Sequence, residues 1–63
     1  MEAVEFYQTT LEALRELREI SRKEFNLACD WRDWESAEAY GDEVQRIARA
    51  IQRVKRKTKE VRQ

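Results

Sequence analysis

The sequence predicts an all-α fold, two antiparallel helices forming a hairpin, on three observations. Ala, Glu, Lys, Leu and Arg supply 34 of the 63 residues, the composition of long helices and coiled coils. There is no Pro and only one Gly, so little in the chain interrupts a helix. The apolar residues recur at helical spacing in two segments whose phases do not match. A turn between the segments resolves the mismatch.

The first segment, about residues 2–29, places Val4, Tyr7, Leu11, Leu14, Leu17, Phe25 and Ala28 on one side. Phe6, Ala13, Ile20 and Leu27 widen that arc, and Glu5, Glu12, Arg15, Glu16, Glu19 and Lys23 fill the opposite side. An apolar arc covering more than half of the circumference exceeds what one neighbouring helix can bury. The segment therefore calls for at least two neighbours.

The second segment, about residues 31–60, is narrower. Ala37, Tyr40, Val44, Ile47, Ile51, Val54, Thr58 and Val61 alternate at spacings of three and four, the a/d repeat of a helical seam. Gly41, Ala37 and Ala48 flank this seam with small side chains. Gly inside a helix costs about 1 kcal/mol relative to Ala, and close approach of another helix is the simplest compensation.

The turn is placed by phase. Extending the first seam beyond Ala28 reaches Arg32 and Glu35, both charged. Cys29 to Asp33 is the break. Asp30 is the expected N-cap, accepting from the amide of Asp33, with Asp33 as the alternative cap. Cys29 and Trp34 would then form a hydrophobic staple. The chain reads as one domain, residues 1–63, with a basic end that frays from Thr58 to Gln63.

Charge and composition exclude several functions. Thirteen basic residues balance thirteen acidic ones, so the chain as a whole is not a polyelectrolyte. The balance is not local: residues 1–43 carry a net −7 and residues 44–63 a net +7. Without His, and with Cys29 as the lone thiol, no nucleophile–base pair, zinc site or internal disulfide can be built. Cys29 lies beside Asp30, with no His to activate it, and reads as an apolar filler. No run of about 18 apolar residues is long enough to span a bilayer. The expectation is a non-enzymatic cytoplasmic protein with no cofactor, metal or small-molecule substrate.

Two groups of residues are candidates for recognition. Arg46, Arg49, Arg53, Arg56 and Lys57 lie opposite the apolar seam and could track phosphates or an acidic protein groove. As a solvated face they also suit the helix macrodipole, since Glu35, Glu38 and Asp42 occupy the first turns and Asp42 can pair with Arg46. An antiparallel hairpin would also bring the basic end beside Glu2 and Glu5. Trp31 and Trp34, three apart at the tip, can anchor a partner or close the end of a small core. Trp34 is the better core candidate and Trp31 the better anchor.

A chain this small buries only about 60% of its unfolded surface, so self-association is expected. A homodimeric four-helix bundle would use Phe6, Leu17, Ile20, Leu27, Val44, Ile47, Ile51 and Val54. In length and plan such a bundle resembles the Rop-type plasmid RNA-binding regulators, although no residue motif carries over. Glu16 and Glu19, with Glu35 and Glu38, superficially resemble the Glu-x-x-Glu pairs of MazG-type nucleotide pyrophosphohydrolases. Hard cations need convergent oxygens, and these carboxylates point away from the apolar arc. The function expected is binding to a macromolecular partner, usually a protein, as an inhibitor, adaptor or regulator of the phage or plasmid type. Nucleic-acid binding through the basic face is the alternative, and a structural assembly subunit the third reading.

Overall fold

The computed structural model of the chain describes residues 3–62. It contains two helices, α1 (Ala3–Asp30) and α2 (Trp34–Arg62). They lie antiparallel along each other and make an all-α hairpin. Only Trp31, Arg32 and Asp33 separate them. The expected helix start at Glu2 and the end of the fraying segment at Gln63 lie outside the described residues.

The turn differs from the expected one, for a local reason. α1 runs one residue further, through Asp30, and Arg32 takes the left-handed conformation at φ 55°. The Arg32 amide donates to the Cys29 carbonyl at 3.0 Å, and the Asp33 amide donates to the Ala28 carbonyl at 2.8 Å. These two bonds make a Schellman motif, which satisfies carbonyls that the end of α1 would otherwise orphan. Gly normally fills that position, so its absence hid the motif. Asp33, not Asp30, caps α2: the Ser36 amide donates to Asp33 Oδ1 at 3.2 Å, and the Ala37 amide donates to the Asp33 carbonyl at 2.9 Å. With the cap shifted three residues, Trp34 becomes the first residue of α2, and the Cys29–Trp34 staple loses its positions.

α2 buries most of the seam that its spacing predicted, but Tyr40 and Val61, expected in it, are exposed near its two ends. Ala37, Ile47, Ile51 and Thr58 are buried, Val44 and Val54 partly so. Thr58, assigned from sequence to a fraying end, is enclosed, and its hydroxyl donates to the Val54 carbonyl at 2.9 Å. α2 stays helical to Arg62.

On α1 the apolar arc splits. The residues turned toward α2 are Val4, Tyr7, Leu11, Leu14, Arg18, Ser21, Phe25 and Ala28, all buried or partly buried. Phe6, Leu17, Ile20 and Leu27 stay exposed, as an arc too wide for one neighbouring helix leads one to expect. Between Leu14 and Phe25 the seam runs through residues 18 and 21, at steps of four, three and four, and so accepts an Arg and a Ser. Leu17 lies roughly 70° round the helix from the centre of this row, so centring it would turn Arg18 and Phe25 away from α2.

The core is therefore small. Leu11, Ile47 and Ile51 form it, with Leu14 and Val54 packed against them, and Ile51 at 2% exposure is its most enclosed large side chain. Truncating such a residue to Ala typically costs about 2–5 kcal/mol. The Cα framework measures 47 × 16 × 11 Å with a radius of gyration of 14.5 Å. A globular chain of this length would have about 11 Å. The hairpin is one helix thick, so each helix keeps most of its surface in solvent.

Candidate interaction surface

Two faces flank the seam. On one of them the exposed apolar residues of α1 form a continuous stripe: Phe6, Ala13, Leu17, Ile20 and Leu27, at spacings of 7, 4, 3 and 7. Thr10 and Glu24 fill the gaps that complete its heptad rhythm. Ile20 and Phe6 are 58% and 57% exposed, and Leu17 and Leu27 about half. Such a row of large apolar groups in water marks an interaction site far better than scattered exposed residues do. Phe6 and Tyr7 make an edge-on ring contact at 5.7 Å, which ties the stripe to the seam at the open end of the hairpin.

At the other end the stripe reaches the turn. Leu27, Trp31 and Tyr40 line one recess, so Trp31 extends the apolar face. Trp34 lies in a different recess, with Phe25, Cys29, Ala37 and Gly41. The two indoles, expected to face the same way, are thus divided between the two flanks of the tip. Their exposures are 78% for Trp31 and 64% for Trp34. The core-closing role expected of Trp34 is not realised in the hairpin, because α2 starts at that residue and its ring has no turn before it to cover.

The basic residues of α2 all reach solvent: Arg46, Arg49, Arg53, Arg56 and Lys57 are exposed. Arg46 pairs with Glu43 at 3.6 Å, not with Asp42 as the i,i+4 spacing suggested, and Lys57 pairs with Glu60 at 3.6 Å. These are the ion pairs among the described residues, and both lie within α2, so the basic end does not pair with Glu5; Glu2 lies outside the described residues. Pairs this exposed contribute little.

One feature of the basic end escaped the sequence. Arg18, from α1, joins Arg49, Arg53 and Arg56 around a recess whose other lining residues are Ala48 and Gln52. Four arginines line that recess, with no Asp or Glu among its lining residues. The signal was present as an Arg at a seam position, which must stretch sideways to reach water, but only the pairing of the helices shows which side it takes.

The remaining sequence candidates are placed as follows. Ile47 and Ile51 are spent inside the hairpin, and Val44 and Val54 are partly covered by α1. Glu16, Glu19, Glu35 and Glu38 are all exposed, and among the described residues no three Cys, Asp or Glu side chains converge as metal ligands. Among the same residues, no helix is long and apolar enough to cross a membrane. No protein-family model, curated protein or solved structure matches this chain, so its surfaces alone carry the functional argument.

Proposed function

We infer that this chain is a small non-enzymatic interaction protein that works through its helix surfaces. It binds a macromolecular partner as an inhibitor, adaptor or regulator of the kind phages and plasmids encode, and uses the apolar face of α1 for a protein–protein contact. The observation that carries this reading is the α1 stripe, a row of about half-exposed aliphatic and aromatic groups along a hairpin with a minimal core. Ample helix surface and the lack of a nucleophile–base pair favour occupancy over chemistry. Photo-crosslinking in the organism that encodes the chain tests it, with the probe at Ile20 or at Trp34. A protein adduct is expected from at least one position, and it should disappear when Ile51→Asp destroys the hairpin. No adduct from either position overturns the reading.

The arginine recess supports a second reading, nucleic-acid binding. Binding of that kind weakens by about 0.9 log unit per log unit of salt for each duplex phosphate contacted. Replacing Arg49 and Arg53 by Glu would abolish it while leaving the seam intact. The first reading expects no tight binding to DNA or RNA near physiological salt, because the molecule is neutral overall. Tight, salt-steep binding would replace it with the second.

A further inference from the structure

We propose that the apolar stripe of α1 is occupied by a second copy of this chain, packed antiparallel about a two-fold axis that passes beside Leu17. This rests on the reading of that face as a protein-binding surface and names its occupant.

The first argument is the order of residues along the stripe. Leu17 stands at its middle, and Ala13 and Phe6 on one side mirror Ile20 and Leu27 on the other. Antiparallel stacking of α1 on its copy sets Leu17 against itself, Ile20 against the small Ala13, and Phe6 against Leu27, over about 32 Å of helix. A two-fold interface must be complementary to itself; here Ile20 finds the small Ala13 while Leu17 meets Leu17 and Phe6 meets Leu27, apolar against apolar at each level. Of the two polar interruptions, Thr10 already donates its hydroxyl to the Phe6 carbonyl at 2.9 Å, so burying it strands no donor, and Glu24 must keep its carboxylate at the solvated rim.

The second argument is charge. Phe25 lies beside Gly41, Arg18 shares a recess with Ala48, and Gln8 shares one with Thr58. By the same register Lys57 lies level with Thr9 and Thr10, and Glu43 level with Lys23 and Glu24. The tip of the hairpin is acidic and the open end basic. Two copies stacked tip to tip would set Glu24 and Glu43 against the same acidic end of the other copy. Antiparallel stacking brings the level of Glu24 and Glu43 over Lys57 of the second copy, with opposite signs in register. Complementary charge at the rim fixes orientation more than it adds affinity, and here it selects one of two otherwise similar two-fold packings. Trp34 and the arginine recess stay on the outer surface, available to the partner.

Sedimentation equilibrium of the full chain at micromolar concentration should give a dimer, and a stable folded monomer overturns the proposal. Orientation is read by disulfide trapping in a C29S background. L17C should cross-link to itself under mild oxidation, F6C alone should not, and F6C mixed with L27C should. Self-linking of F6C, or no linking of L17C, overturns the antiparallel packing. K57E should weaken the dimer by about tenfold, each lost pair counting twice by symmetry, and E43K added to K57E should restore it. A monomer that still yields a foreign protein adduct at Ile20 leaves the interaction reading standing and removes only this proposal, so the two fail separately.

Discussion

Arg32 holds a backbone conformation that costs an L-residue roughly 1–2 kcal/mol, and it does so because the Schellman bonds of Cys29 and Ala28 demand it. Gly adopts that conformation freely but loses more entropy on folding. Arg32→Gly is therefore expected to raise the unfolding free energy by about 0.5–1 kcal/mol, measured by urea denaturation; a loss of stability would contradict the motif. Asp33, next in the chain, accepts from the hydroxyl and the amide of Ser36, and these bonds hold its carboxyl below the usual aspartate range. A depressed folded-state pKa means that the carboxylate's contribution is complete above the unfolded value of about 3.9. It is lost as pH falls through the folded value. The melting temperature of the wild type should thus fall on acidification below about pH 4, while Asp33→Asn, which keeps a capping oxygen, should lose that part of the dependence. Equal acid sensitivity of the two proteins would show that Asp33 does not contribute it.

The two helices differ in how their surfaces are used. Gly41 flanks the α2 seam, and sequence suggested that it admits a close neighbour. The structure instead leaves room: a Cβ there would meet Phe25 Cε2 at 3.5 Å and Cδ2 at 3.7 Å, ordinary van der Waals contact. Gly41→Ala should consequently stabilise the hairpin by about 1 kcal/mol, the helix-propensity difference, visible as a higher urea midpoint with unchanged slope. Destabilisation would mean that the helices approach more closely than this geometry. The α2 seam was legible except at Tyr40 and Val61, which are exposed, because a single apolar row admits a single orientation. α1 was legible only as a helix, since its apolar arc contains two overlapping heptad rows and periodicity alone cannot say which of them meets α2. The turn was legible by phase and wrong in its cap, because Asp30 and Asp33 are equally good capping residues and Arg32 gives no sign in sequence of its left-handed backbone.

At the scale of the whole molecule, a hairpin one helix thick with Leu11, Ile47 and Ile51 as its core gains too little from its seam to make the remaining apolar surface incidental. The charge segregation of the chain, −7 before residue 44 and +7 after it, becomes an axial dipole once the hairpin folds. That dipole makes an antiparallel second copy the favourable neighbour. The all-α hairpin, the position of the turn to within a few residues, most of the α2 seam and the surplus of apolar surface on α1 were all readable from the residues alone. Each of these follows from composition and from spacing along one helix, which are local properties. It took the packing of the two helices to show that Arg18 and Ser21 enter the seam, that the two indoles part company, and that four arginines from both helices line one recess. Those outcomes depend on the rotation of each helix about its own axis. Rotation is set by the packing of one helix against the other, and no pattern within either segment encodes it.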